Sequence, residues 1–178
     1  MVSHALLLAV LLAAPALRAE APQNLLLADL GLHVVGAGYQ RTLSPSLAAQ
    51  VALESYTPWT QNLDLLGLSG AAFKADLQGA AVRARVFVYP WGTAPTGPWL
   101  SPFAQAGLGW ATRDGSKRTG LIWAVGASAG WSWLPAEQVH LAFGAGLQFH
   151  AAEIPGGDGA PSFRRFYPTL DGSVGYAF

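Results

Sequence analysis

The stretch Val139-His140-Leu141-Ala142-Phe143-Gly144-Ala145-Gly146-Leu147-Gln148-Phe149-His150 decides the fold. Val139, Leu141, Phe143, Ala145, Leu147 and Phe149 are apolar, and the residues between them are small or polar. Successive side chains of a strand point to opposite faces, so strict alternation marks a strand whose two faces meet different surroundings. The preceding segment behaves alike. Leu121, Trp123, Val125, Ala127, Ala129, Trp131 and Trp133 alternate with Ala124, Gly126, Ser128, Gly130 and Ser132. Leu134-Pro135-Ala136-Glu137 between them reads as a short turn, so the two runs form a long hairpin.

The rhythm extends in both directions. Arg83, Arg85, Phe87 and Tyr89 share one face of a strand; Ala48, Gln50, Ala52 and Glu54 share one face of another. Counting from the carboxyl end predicts eight strands, near 24–30, 32–42, 46–57, 78–90, 99–112, 120–133, 138–151 and 165–178. The first is the least distinct, because it could merge with the second. An even count returns both termini to one side. The connections at Ser44-Pro45-Ser46, Trp91 to Pro98 and Leu134 to Glu137 then lie on the terminus side. The stretches 58–77, 113–119 and 152–164 lie on the other, with a tight turn near Gly31. Pro102 and Pro168 fall inside predicted strands and are irregular there, since proline cannot donate to a ladder.

The choice of outer face sets the class. Hydrophobic residues make up 52% of the 178-residue chain and charged ones 11%, against roughly 25% charged in soluble domains. No apolar run reaches the ~18 residues that a membrane helix needs. The non-apolar face is mostly Gly, Ala, Ser and Gln, which suits a narrow interior; the opposite face carries bulky residues, as lipid contact demands. The expectation is an all-β, single antiparallel up-and-down transmembrane β-barrel of eight strands. Glu54, Arg83, Arg85, Arg165 and Asp171 then point inward, and buried charges require partners. An ion-pair network plugging the lumen is expected; a selectivity ring in a small pore is the alternative. Trp91, Trp99, Trp131 and Trp133 flank the terminus-side turns, and Trp59, Trp110 and Trp123 flank the opposite loops. They are expected to form two girdles at the membrane surfaces.

Both ends carry addresses. Ala5 to Leu17 has the length of a signal-peptide core and is followed by small residues, with cleavage expected after Ala19. Residues 1–19 are thus a removable leader and 20–178 the barrel. The ending Leu170-x-x-x-Val174-x-Tyr176-x-Phe178 resembles the terminal β-signal of bacterial outer-membrane barrels. The chain is similar to the OmpA/OmpX-type group of small barrels. That resemblance implies an outer-membrane location in a Gram-negative envelope. It also implies passage with periplasmic chaperones, insertion by the barrel-assembly machinery and contact with outer-membrane lipid. It transfers little mechanism, since the group hosts diverse functions.

Chemistry is sparse. Net charge is zero and cysteine is absent, so neither a nucleic-acid surface nor thiol chemistry is indicated. Gly126-Ala127-Ser128-Ala129-Gly130 spells G-x-S-x-G, but that motif needs a strand-to-helix turn, and here it lies mid-strand. His140 and His150 share a face but lie about 33 Å apart at ~3.3 Å per residue, so they cannot share a metal. No cofactor or metal is expected. The leading expectation is a monomeric, non-enzymatic barrel with a structural or surface-interaction role. A lipid-modifying enzyme using His150 with Glu153, Ser162 or Arg165 is one alternative; a secreted soluble barrel binding an apolar ligand is the other.

Overall fold

A computed structural model describes residues 22–56, 77–113, 116–155 and 162–178. The expected leader, Trp59 and most of the 58–77 connection lie outside these residues. Eight strands form: β1 (Asn24–Gly31), β2 (Val34–Ser44), β3 (Leu47–Tyr56), β4 (Gln78–Val88), β5 (Gly97–Arg113), β6 (Ser116–Ala136), β7 (Val139–Glu153) and β8 (Ser162–Ala177). Each pairs antiparallel with its neighbours, and β1 pairs with β8 to close the barrel. β1 is a separate strand, divided from β2 by the turn at Leu32 and His33.

The expected loop 113–119 is almost entirely strand. β5 and β6 stay paired out to Arg113↔Ser116, because Thr112, Lys117 and Thr119 continue the two-residue rhythm. Pro168 remains in register with Leu147 in a part of β8 that extends past β1, whose pairing ends at Asp171. One edge of β8 has no strand partner there among the described residues, so a missing N–H is tolerated.

Alternation positions every side chain. Leu53, Val82, Leu100, Leu108, Phe143, Leu147, Phe166 and Val174 are exposed on the convex face. Asp29, Gln50, Glu54, Arg83, Arg85, Gln105 and Asp171 are buried in the lumen. The barrel is therefore apolar outside and polar at its centre, the reverse of a soluble barrel.

The stagger follows from the register. Starting at Leu30 and stepping from partner to partner gives Val35, Ser55, Ala80, Leu108, Leu121, Glu153 and Ser162. Leu30 itself pairs with Gly172, so one circuit advances ten residues along β8, from Gly172 to Ser162. Eight strands with this shear tilt by roughly 35–45° to the barrel axis.

Candidate functional site in the barrel interior

Adjacent inward positions on β4 deliver Arg83 and Arg85, which meet acids from three other strands. Arg83 Nη2 lies 2.7 Å from Asp29 Oδ2 of β1 and 2.7 Å from Glu54 Oε1 of β3. Its Nη1 reaches Asp171 Oδ1 of β8 at 3.2 Å. Arg85 binds the same carboxylate, with Nη1 at 3.1 Å and Nη2 at 3.2 Å. It also donates to Ser101 Oγ at 3.1 Å and Ser128 Oγ at 2.6 Å, while Gln50 Nε2 donates to Asp29 at 2.8 Å. Glu54 meets Arg83 by charge at close range, but not along an N–H direction. Two guanidiniums thus tie together three carboxylates from β1, β3 and β8, cross-linking the wall through its centre.

Aromatic rings floor this layer. Arg85 lies over Phe87, Trp99 and Phe103, with its Cζ 4.9, 5.6 and 5.4 Å from the ring centroids. The Trp99 indole fits only because two facing residues lack side chains. A Cβ on Gly130 or Gly144 would stand 2.4 or 2.3 Å from its ring carbons. Large groups inside a narrow barrel require such gaps opposite them.

The two ends close differently. At the loop end, His33, Tyr56, His150 and Tyr167 form an aromatic cluster, with His33 5.3 Å from both Tyr56 and His150 between centroids. Val34, Leu77, Ile122, Ala152 and Ile154 pack around Tyr56 and Tyr167. His33 sits in the β1–β2 turn, and burial pushes its imidazole down to about 3, with His150 and then Arg83 adding smaller contributions. At the terminus end a turn does the work. The β4–β5 connection tucks Ala94 and Pro95 inside, where the Pro95 carbonyl accepts from Ser132 Oγ at 2.7 Å and Tyr89 Oη at 3.4 Å, with His140 Nε2 3.3 Å away. Between this plug and the ion layer lies a cavity of about 10 Å³ bordered by Asp29, Gln40, Arg85, His140 and Asp171. It has room for about one water.

No protein-family model matches the chain, and no curated protein does. Among solved structures, it is similar to Neisserial surface protein A, at 14% identity and a TM-score of 0.50, over 88% of this chain and 97% of that one. The N-terminal β-barrel domain of Pseudomonas aeruginosa OprF matches at 13% identity and a TM-score of 0.43, over 87% and 95%. The fold is that of the eight-stranded outer-membrane barrels.

Within this barrel, Glu54, Arg83, Arg85 and Asp171 come together as one network. Arg165 does not join it. It has inward parity, but stands exposed at the loop end opposite His150. Asp29 does join, although sequence reasoning missed it; its even spacing from Leu25 and Leu27 within a weakly marked strand was the available signal. Trp99 departs from the expected girdle. It shares parity with Ser101 and Phe103 and is 3% exposed inside the lumen. Trp91, Trp131 and Trp133 are exposed on the terminus half, while Trp110 and Trp123 lie half-buried toward the loop end. Trp123 contacts Phe149, which contacts Phe166, forming an aromatic strip across β6 to β8. Val174, Tyr176 and Phe178 face outward, and Phe178 closes on Asn24 through paired backbone hydrogen bonds of 3.1 and 2.9 Å. Ser128 of the G-x-S-x-G run is bound to Arg85. His150 is buried in the aromatic cluster, whereas Glu153 has outward parity and pairs with Arg164 at 2.6 Å.

Proposed function

We propose that this chain is a non-enzymatic protein of the outer membrane, anchored by its convex surface and serving the envelope or surface contacts rather than transport. The observation that carries the reading is the pairing of a continuous apolar exterior with a charged interior filled by its own side chains. Hydrocarbon outside and ion pairs inside is stable only where lipid surrounds the barrel. The packed lumen leaves no room for an apolar ligand, which removes the attraction of a secreted soluble carrier. Closure at both ends argues for a plug rather than a selectivity ring. In this reading residues 1–19 direct export and are removed. Periplasmic chaperones and the barrel-assembly machinery then deliver a monomer whose last strand, ending Val174, Tyr176 and Phe178, is recognised.

The test is localisation with heat-modifiability. Expressed in a Gram-negative host, the chain should resist sarkosyl extraction with the outer membrane and migrate faster unheated than boiled. A sarkosyl-soluble chain with one mobility would overturn the proposal. Unchanged lipid A mass spectra with and without the gene are expected, and a change would revive a lipid-modifying role for His150. Steady ion-selective conductance in planar bilayers would overturn the plug.

A further inference from the structure

The terminus plug and the ion layer meet across a small cavity. Its border includes Tyr89 and His140, which hold the Pro95 carbonyl, and Asp29, Arg85 and Asp171 of the ion layer. Gln40 of β2, Trp99 of β5 and Ala142 of β7 complete the part that matters here. Three of these side chains each keep one buried polar atom that has no protein partner: Gln40 Nε2, Trp99 Nε1 and His140 Nδ1. The three residues are only 1, 3 and 1% exposed. Buried polar atoms nearly always have a partner, and ordered water supplies it where the chain does not.

The chemistry of the guest follows from the donors and acceptors around it. A carbonyl oxygen only accepts, so the His140 Nε2 that lies 3.3 Å from Pro95 carries the ring proton. In the neutral ring Nδ1 is then an acceptor. Gln40 Nε2 and Trp99 Nε1 only donate, and the ionised carboxylates of Asp29 and Asp171 only accept. The guest must therefore accept from two groups and donate to two others. An anion has nothing to donate and would lie against two carboxylates. A metal ion would meet two N–H donors and the Arg85 guanidinium, and no cluster of three metal-ligating side chains occurs among the described residues. Water matches the set, and the cavity has the size of one.

We infer that this cavity is a binding site for one structural water, which accepts from Gln40 Nε2 and Trp99 Nε1 and donates to His140 Nδ1 and to the carboxylates of the ion layer. The water joins the two parts of the interior. A continuous hydrogen-bonded chain then runs from the Pro95 carbonyl through His140 and the water to Asp29 or Asp171, and from there to the arginines of β4. The backbone turn that seals the terminus end is thereby fastened to the centre of the barrel, and not only to the wall around it.

The test is nuclear magnetic resonance on the folded full chain in detergent micelles. The Trp99 indole proton should show a cross-peak to water in rotating-frame spectra, where the sign separates dipolar contact from proton exchange. His140 should show the tautomer protonated at Nε2. The variant A142V enlarges a side chain on the cavity border and should abolish the cross-peak. It should also quicken hydrogen exchange at the Ala94 amide, which the plug bonds to Pro45 O at 2.9 Å, by about fivefold, the scale of one hydrogen bond. A145V, on the lipid face of the same strand, should change neither, and heat-modifiability checks that both variants fold. No water contact at the Trp99 indole of the native chain overturns the inference without recourse to any variant. A His140 proton on Nδ1, or a cross-peak undiminished in A142V, overturns it as well.

Discussion

The two ends of the lumen are sealed by different materials. The loop end is closed by side chains, His33, Tyr56, His150 and Tyr167, under an apolar lid that includes Leu77, Ile122 and Ile154. The terminus end is closed by backbone, a turn whose Pro95 carbonyl gathers Tyr89, Ser132 and His140. A side-chain seal is an extension of strand alternation and varies with the residues placed there. A backbone seal depends on where one connection folds, and its polar groups must find partners because they are buried. The charged layer between the ends belongs to neither and ties both to the same wall.

The sharpest way to break this arrangement is to remove what the two ends share. Arg83→Leu strips Asp29 and Glu54 of their common cation, and deleting one partner of a buried ion cluster costs about 3–5 kcal/mol. Urea unfolding in lipid vesicles should show this loss, and a double change of Arg83 and Glu54 to Met should recover part of it. Full stability in Arg83→Leu would mean that the layer does not hold the wall together. A smaller effect is expected at the floor of the layer. Gly144→Val puts methyl groups where the Trp99 indole lies, and overpacking of this kind costs about 1–3 kcal/mol. Trp99 fluorescence should shift as the ring is displaced, and an unchanged spectrum would contradict its placement.

The ends can then be separated. Ser132→Ala removes the shortest hydrogen bond to Pro95 and should cost about 1 kcal/mol. Its signature is local: faster protease cleavage within residues 89–96, with the loop end unaffected. Equal sensitivity at both ends would erase the distinction. The remaining effect is zero at neutral pH and belongs to the loop end. His33 is neutral in the folded chain down to about 3, while the unfolded imidazole takes a proton near 6.5. Above 6.5 neither state binds that proton. As the pH falls from 6.5 toward 3 only the unfolded chain does, so stability drops through that window. His33→Gln should flatten this slope, and an identical acid profile would exclude the imidazole as its source.

Much of this was legible beforehand because a strand has only two faces. Once Phe143 and Leu147 were set outward, Gln148, His150, Ser128, Arg83, Arg85 and Glu54 had to point in. The same rule contained the answer for Trp99, whose even spacing from Ser101 and Gln105 outweighs its nearness to a turn. Asp29 was hidden by a first strand too short to display a rhythm. Arg165 obeyed parity and still stood exposed, since alternation gives direction and not depth. Whether Arg83 would meet Glu54, Asp29 or Asp171 was open, because those residues lie on strands brought together only by closure.

Composition and alternation by themselves determined that this chain forms a closed sheet with a greasy exterior and a polar interior, and how many strands close it. Those are properties of the single strand, repeated. The shear of ten residues, the three acids gathered around two arginines and the connection folded into the base were decided only in three dimensions. Each depends on how far one strand slides against the next, and that offset is set by the packing of the whole ring rather than by any segment of it.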